Sequence, residues 1–275
     1  MPLSTLASAP STAVKDPLLQ VDKLRKTFIR SGGLFKPAIE TVALNGVSFD
    51  LHAGQILGVV GESGCGKSTL ARIIVGLESA DSGRLTLDGN TLIDANKNLS
   101  VHASKRGIQM IFQDPYASLN PRMSVRDVIG EGLAIAGEMD KAERDERVND
   151  MLTLVGLRPQ DGDRYPRQFS GGQRQRIGIA RSLVSQPRVL IADEAVSALD
   201  VSVQMQVLNL MLDIRDRLGI AIMFITHNIG VVEYLCDRVI VLSQGSIVER
   251  GATADVIADP QHPYTKRLIA AVPQI

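Results

Sequence analysis

The apolar positions of this chain alternate between short continuous runs and longer segments with helical spacing. Short, largely apolar runs predict strands buried on both faces of a sheet, and they occupy residues 56–60, 108–112, 189–193, 220–226 and 239–242. After the first run, Leu70, Ile73, Ile74 and Leu77 recur at the i, i+3, i+4 and i+7 spacing of one helix face. Buried strands that alternate with helices predict an α/β fold whose sheet is mostly parallel and covered on both sides.

Two regions depart from this alternation. Near the N-terminus, β-rich segments separated by glycine-containing turns predict an antiparallel part at 18–21, 47–51 and 84–88. Between residues 111 and 189, helices are predicted at 123–136, 141–157 and 172–184, without a strong strand among them. We therefore expect a helical subdomain, at about 114–183, inserted into the sheet domain. A hairpin at 244–251 and a helical tail to residue 275 are expected to follow.

Composition narrows the class of protein. The 275 residues are 44% hydrophobic and 22% charged, values typical of globular proteins. Thirty basic and thirty acidic residues cancel, so no global positive field attracts nucleic acid. Two cysteines, Cys65 and Cys236, are too few for a disulfide framework or a cysteine-based metal cluster. No apolar run approaches the roughly 18–20 residues of a membrane helix, and residues 1–17 lack a basic secretory n-region. We expect an intracellular protein whose membrane role, if any, depends on a partner.

A glycine-rich loop lies between the first buried run and the helix after it. Its residues fit the pattern G-x-x-x-x-G-K-[ST] and are Gly61, Glu62, Ser63, Gly64, Cys65, Gly66, Lys67 and Ser68. Such a loop folds into a nest of inward N–H groups that bind phosphate oxygens, and the helix N-terminus adds partial positive charge. Lys67 then neutralises the β- and γ-phosphates and Ser68 binds Mg²⁺. The alternative, a glycine-rich turn with an incidental lysine, does not explain the strand–loop–helix context.

Two acids end the buried run at 189–193. Asp193 and Glu194 fall at the carboxyl end of a parallel strand, where open α/β sheets bind ligands. Asp193 is placed to hold Mg²⁺ through water and Glu194 to polarise an attacking water; alternatively, both acids simply cap the strand. Together with the glycine-rich loop they indicate a nucleoside triphosphatase. A GTP site is not supported, because Leu99 stands where the guanine-specifying motif requires an acid.

A second glycine-rich helix start follows Phe169. Ser170, Gly171, Gly172 and Gln173 open a predicted helix and form a second candidate anion site. One nucleotide rarely needs two such cradles from one subunit, whereas a head-to-tail dimer uses both. The alternative is an ordinary serine N-cap.

With these motifs in this order, the chain resembles the nucleotide-binding subunits of ATP-binding cassette (ABC) transporters over about residues 18–250. The resemblance implies an ABC-type P-loop fold and ATP and Mg²⁺ as ligands. It makes residues 61–68 the Walker A loop, with Thr69 added to the nucleotide contacts, and residues 170–173 the signature motif. Asp193 becomes the Walker B acid and Glu194 the general base.

The same resemblance assigns four further roles. Gln113 becomes the glutamine that senses Mg²⁺ and water, and His227 the switch histidine on the γ-phosphate. Asp200 ends the D-loop, residues 197–200, and Phe28 stacks on adenine, with Phe35 as a nearby competitor. Two residues depart from the family pattern. Phe169 replaces the usual signature leucine, and Asn228 replaces a common aspartate after the histidine. Neither change removes a group that hydrolysis needs.

Residues 113–123, 194–200 and 259–268 resemble the oligopeptide and dipeptide importer branch. This implies an ATPase domain at 17–255, a C-terminal tail at 256–275, and a peripheral position on the cytoplasmic face of the inner membrane. The implied partners are integral membrane permease subunits, a second ATPase subunit and, indirectly, a substrate-binding protein, with no nucleic acid. Nickel, glutathione, opine or antimicrobial-peptide transport, an ABC exporter, a module without turnover and a soluble non-transport ABC protein remain alternatives.

Overall fold

The structure is a computed structural model that describes residues 16–30, 39–102, 106–113, 118–136, 139–197 and 199–271. Five parts of the chain discussed above lie outside these residues. They are the N-terminal residues 1–15, Phe35, residues 114–117 of the importer-like segment 113–123, Ala198 of the predicted D-loop, and the tail beyond residue 271. Eleven strands are described. They are β1 (Leu19–Arg30), β2 (Ile39–Leu51), β3 (Ile56–Val60), β4 (Ser82–Leu87), β5 (Asn90–Asp94), β6 (Leu99–Ser100), β7 (Ile108–Ile111), β8 (Val189–Asp193), β9 (Ala221–Thr226), β10 (Arg238–Ser243) and β11 (Ser246–Ala252).

The central sheet has six strands in the order β11-β10-β3-β9-β8-β7. The pairs from β10 through β7 are parallel, and β11 adds an antiparallel edge through the predicted hairpin. Because parallel strands end at the same edge, the segments after β3, β7, β8 and β9 lie side by side. A second sheet, in the order β2-β1-β4-β5-β6, is antiparallel at each of its four strand pairs.

The described residues also contain eight α-helices. They are α1 (Lys67–Val75), α2 (Val125–Ala136), α3 (Lys141–Leu154), α4 (Gly171–Leu183), α5 (Val201–Leu218), α6 (Ile229–Leu235), α7 (Thr253–Ala258) and α8 (Pro263–Ala270). Helices α2, α3 and α4 lie between β7 and β8 in the chain, as the predicted helical insertion requires. No helix in the described part of the chain is both long and apolar enough to span a bilayer.

The pleat of the central sheet divides the core in two. On β3, Leu57 and Val59 join a cluster with α1 and the antiparallel sheet. Ile56 and Val60 point the other way and join a cluster with α2 to α6. Side chains alternate across a strand, so a strand apolar at every position must be covered on both faces. The α/β fold, its mostly parallel sheet and its antiparallel part are therefore confirmed.

Several local expectations are corrected. Leu77 was predicted on the buried helix face, but Gly76 ends α1 in a left-handed conformation with φ 90°. Leu77 lies past that cap and is 58% exposed, because a C-cap glycine turns the chain off the helix. Phe112 was predicted in a strand, but β7 ends at Ile111 and Phe112 is exposed. The sequence patterns did not single out β5, β6, α5 or α6.

Candidate functional site

The glycine-rich loop connects β3 to α1 at the edge of the central sheet. Gly66 precedes α1 with φ 112°, and a Cβ at this position would collide with the carbonyl oxygen of Ala43. Only glycine fits both constraints without strain. The first turn of α1 carries no acidic residue, so its N–H groups present an uncompensated positive helix end. The loop tip is exposed at Ser63 and Gly64, which leaves it accessible to a ligand.

Lys67 is folded inward over this loop. Its side chain is almost fully buried, and Nζ donates hydrogen bonds to the carbonyl oxygens of Gly61 at 2.7 Å and Glu62 at 2.9 Å. Both acceptors are neutral, so these bonds leave the positive charge available to an anion. Burial raises the pKa of the adjacent Cys65 thiol, and the charge of Lys67 opposes that rise. A nest with a buried cation is suited to phosphate.

Two oxygen-bearing side chains meet beside the loop. The hydroxyl of Ser68 donates to Oδ1 of Asp193 at 3.3 Å, which joins the start of α1 to the end of β8. Burial raises the pKa of Asp193, the Ser68 hydrogen bond lowers it, and the charge of Glu194 raises it further. Hydroxyl and carboxylate oxygens are the ligand type that Mg²⁺ prefers. Within the described residues, no three His, Cys, Asp or Glu side chains form a metal site by themselves.

The carboxylate of Glu194 lies between two other predicted catalytic side chains. Gln113 donates from Nε2 to Glu194 Oε2 at 2.8 Å, and Nδ1 of His227 lies 3.3 Å from Oε1. These residues follow the adjacent strands β7, β8 and β9, whose carboxyl ends share one sheet edge. Glu194 adopts φ 49°, and its N–H donates to the carbonyl of Ile225 on β9 at 2.9 Å. The neighbouring strand thus holds an unfavourable backbone conformation at the residue that carries the carboxylate.

The predicted signature motif begins α4 with reciprocal capping bonds. The hydroxyl of Ser170 accepts the N–H of Gln173, and the Gln173 side chain accepts the N–H of Ser170. Ser170 is therefore an N-cap, as the alternative interpretation expected. The two capping bonds do not use the N–H groups of Gly171 and Gly172. A Cβ on Gly172 would collide with Cγ1 of Val203 on α5.

The D-loop residue Asp200 caps the helix that Gly172 touches. Its Oδ1 accepts the N–H of Val203 at 2.9 Å and thereby starts α5. The predicted signature motif and D-loop are therefore packed together within one subunit.

Phe169, which departs from the family's leucine, has a specific partner. The guanidinium of Arg164 stacks on its ring, with Cζ 4.4 Å from the centroid. Arg164 also donates to Asp161 at 2.9 Å, and this hydrogen bond holds the pKa of Asp161 below its ordinary value. The ring is buried, so it fixes the backbone just before the signature serine.

Phe28 lies on β1, and 41% of the residue is exposed. The ammonium of Lys26 lies 5.2 Å from the ring centroid and is held by Glu78 at 2.8 Å and Asp81 at 3.6 Å. A half-exposed ring supported from the protein side offers a surface for stacking.

The structure thus brings the predicted residues into separate groups. The phosphate loop and Asp193 form one group, the Glu194 carboxylate with its two partners forms the second, and the signature with Asp200 forms the third. Sequence reasoning missed Lys26, Arg164, Val203 and Tyr264 as supporting residues. Only Tyr264 had a signal, since it belongs to the importer-like segment 259–268.

The sequence and the structure were compared with known protein families, proteins and solved structures. The family model described as "ABC transporter" matches residues 44–197. The dipeptide transport ATP-binding protein DppF of Haemophilus influenzae is 47% identical over 94% of this chain and 79% of its own length. The glutathione import ATP-binding protein GsiA of Pectobacterium atrosepticum is 49% identical over 94% of this chain, a match that covers 41% of GsiA. A dimeric post-hydrolysis structure of the cassette MJ0796, bound to ADP and phosphate, has a TM-score of 0.71 and 26% identity. The match covers 86% of this chain and 98% of that chain.

Proposed function

Because this chain belongs to the ABC transporter family, as an ATP-binding subunit that hydrolyses ATP, we propose that it powers a membrane importer of oligopeptides or dipeptides. The similarity to a dipeptide transport subunit over nearly the whole chain supports this cargo class. The subunit works within a transporter complex, with integral membrane subunits and a second ATPase subunit, identical or a sister chain. A substrate-binding protein delivers the cargo to the membrane subunits and is therefore an indirect partner of this chain.

The arrangement around Glu194 carries the proposal of ATP hydrolysis. Its two carboxylate oxygens face Gln113 and His227 at 2.8 and 3.3 Å, which orients the group at the edge shared with the phosphate loop. Glu194 accepts a proton from water as the water oxygen attacks the γ-phosphorus. The bond to the β–γ bridging oxygen breaks, and ADP and phosphate leave. His227 stabilises the charge that develops on the transferred phosphoryl group.

The phosphate loop binds the nucleotide in this proposal. Backbone N–H groups between Gly61 and Thr69, other than those of Glu62 and Cys65, which donate within the protein, hold the β- and γ-phosphates together with the ammonium of Lys67. Ser68 and Asp193 would hold Mg²⁺ beside the loop, and Gln113 would add its amide oxygen, since its amide nitrogen is directed at Glu194. When bound, the ion neutralises charge on the phosphate oxygens.

The remaining contacts with the nucleotide are made to its adenine base and by the second subunit. Phe28 stacks on adenine. Ser170, Gly171, Gly172 and Gln173 of one subunit close on the γ-phosphate held by the other, and Asp200 lines that junction. Closing and reopening of the pair drives the membrane subunits. We place the subunit on the cytoplasmic face of the inner membrane, with residues 17–255 as the ATPase domain and 256–275 as its tail.

Two substitutions separate catalysis from binding. Glu194→Gln keeps the shape of the side chain but removes the base, so turnover should fall about 10²–10⁴-fold while ATP still binds. Lys67→Ala should weaken ATP binding itself. ATPase rates and fluorescent-nucleotide titration of the full chain measure both effects. Unchanged turnover in the first variant, or unchanged affinity in the second, would remove that residue from its role.

The cargo is tested with the complete transporter. The chain is purified together with its membrane subunits and placed in lipid vesicles. The complex should then hydrolyse ATP faster when peptide and binding protein are present. Glutathione import is the second candidate, because GsiA is 49% identical over most of this chain. Stimulation by glutathione and not by peptides would favour that candidate and reject peptide import.

A further inference from the structure

The importer-like segment at 259–268 is attached to the ATPase core at a defined point. Glu249 on β11 accepts the N–H of Gln261 at 2.7 Å and the N–H of His262 at 3.0 Å, one on each carboxylate oxygen. The ring of His262 then accepts the N–H of Tyr264 at 3.2 Å and caps α8. These bonds fix where α8 begins and therefore where Tyr264 lies.

Tyr264 reaches from this tail helix to the phosphate loop. Its ring is buried in the cluster that contains α2 to α6, and 7% of the residue is exposed. Its hydroxyl oxygen accepts the backbone N–H of Glu62 at 2.8 Å, across 202 residues of sequence. Burial raises the pKa of Tyr264, and the Glu62 hydrogen bond opposes that rise. The hydroxyl therefore stays neutral near pH 7.

The peptide group that Tyr264 holds lies one hydrogen bond from Lys67. The carbonyl oxygen of this peptide group, that of Gly61, accepts from Lys67 Nζ at 2.7 Å. The next carbonyl, that of Glu62, accepts from Lys67 Nζ at 2.9 Å and from the N–H of Cys65 at 3.3 Å. A hydrogen-bonded chain therefore runs from the tail through the first turn of the loop to the predicted phosphate-binding lysine.

We propose that Tyr264 is a positioning residue for the phosphate loop, through which the C-terminal tail sets the affinity for ATP. The inference rests on the proposed phosphate-binding role of residues 61–68. A loop held in its binding conformation loses less freedom when the nucleotide arrives. Without the hydroxyl, the Glu62 peptide has no fixed partner for its N–H, and the binding-competent fraction of the free protein falls. The apparent dissociation constant rises in proportion. A tail that moves off the core would have the same effect.

Tyr264→Phe isolates the hydroxyl because the ring remains in the core. Tyr234→Phe is the matched control, since it also removes one hydrogen bond, from the Tyr234 hydroxyl to Asn209 at 2.5 Å, on an exposed helix face. Titration of the full chain with a fluorescent ATP analogue gives Kd, and steady-state ATPase gives KM and kcat. We expect Kd and KM of Tyr264→Phe to rise about 3- to 10-fold, the factor associated with one neutral hydrogen bond, with kcat changed less than about twofold. The control should stay near wild type.

A second variant changes the tail anchor and leaves Tyr264 intact. Glu249→Gln weakens the two charge-assisted bonds that seat the segment, so Kd should rise in the same direction. Thermal unfolding of each variant is measured in parallel. A lower unfolding temperature for Tyr264→Phe with wild-type Kd and KM would show a purely structural residue and overturn the inference. Equal shifts in Tyr264→Phe and the control would also overturn it.

The same experiment separates this inference from the proposed function. If the wild-type chain neither binds nor hydrolyses ATP, the phosphate-site assignment fails. If the wild type binds normally and Tyr264→Phe is indistinguishable from it, only the role of Tyr264 fails.

Discussion

Gly172 offers a test in which one added methyl group must disturb two motifs at once. A Cβ at this position would overlap Cγ1 of Val203, while the other Val203 carbons nearby are at ordinary distances of 3.7 and 3.8 Å. The N–H of Val203 is the donor that Asp200 uses to cap α5. Gly172→Ala should therefore push the first turn of α5 away from α4 and shift the predicted D-loop cap.

The expected cost follows from the size of the overlap. Insertion of one methyl into a packed contact costs about 1–3 kcal/mol. In a protein of this size that lowers the unfolding temperature by about 2–4 °C per kcal/mol, or about 2–12 °C in all. Val203→Ala removes both γ-methyls of a half-buried side chain, the overlapping one included, and should cost about 0.5–1.5 kcal/mol by itself. The double variant should unfold close to Val203→Ala alone, because the added methyl occupies the space vacated.

Thermal unfolding and ATPase turnover of the wild type, both single variants and the double variant complete the cycle. The packing argument predicts a favourable coupling free energy of about 1 kcal/mol or more. Additive effects, with coupling below about 0.5 kcal/mol, would refute it. A double variant that regains stability but not turnover would show that Gly172 is needed for access to phosphate rather than for packing.

Three other substitutions test the supporting structure. Arg106→Met should lower the free energy of unfolding by about 2–5 kcal/mol in denaturant titration. The reason is that the buried guanidinium donates to three backbone carbonyls, two of them at the end of α1. A loss below about 1 kcal/mol would contradict this prediction. Phe28→Ala should weaken ATP binding about 5- to 100-fold by nucleotide titration, the range for loss of one base stack, while Phe28→Tyr should not. Burial pulls the pKa of Glu249 upward, but the N–H groups of Gln261 and His262 help hold it below its ordinary 4.5. The stabilisation by this carboxylate is complete above about pH 4.5 and is lost as the pH falls through the lowered pKa. The gap in unfolding temperature between wild type and Glu249→Gln should therefore be present at pH 7 and close as the pH falls below 4.5 and through the lowered pKa. A gap that does not vary with pH would exclude this carboxylate as its source.

Strands β3 and β8 show where sequence reasoning succeeded. Both were predicted with their observed bounds, because residues buried on both faces must be apolar at every position. The antiparallel sheet was harder to predict. Strands β1 and β2 run to 12 and 13 residues, far beyond the short apolar cores that predicted them. Their outer residues follow no simple apolar pattern, since Leu24 and Leu44 are buried while Ile29 and Val42 are exposed. Pairing with a neighbouring strand, and not composition, extends them.

The candidate site divides in the same way. The geometry of the phosphate loop is local, since a strand, a turn that requires glycine at Gly66 and a helix follow one another in the chain. Residue types at those positions therefore determined the loop from the sequence alone. The sequence also placed Gln113, Glu194 and His227 at strand ends, but only the order of β7, β8 and β9 in the sheet brought them into contact.

What the tertiary structure alone decided are the contacts between segments far apart in the chain. The hydrogen bond from Glu62 to Tyr264, the contact of Gly172 with Val203, and the ion pair of Lys26 with Glu78 follow no spacing rule. Each depends on how the two core clusters pack against the central sheet, which a linear pattern of apolar positions does not specify. The sequence determined which chemical groups this protein carries, and packing determined which of them touch.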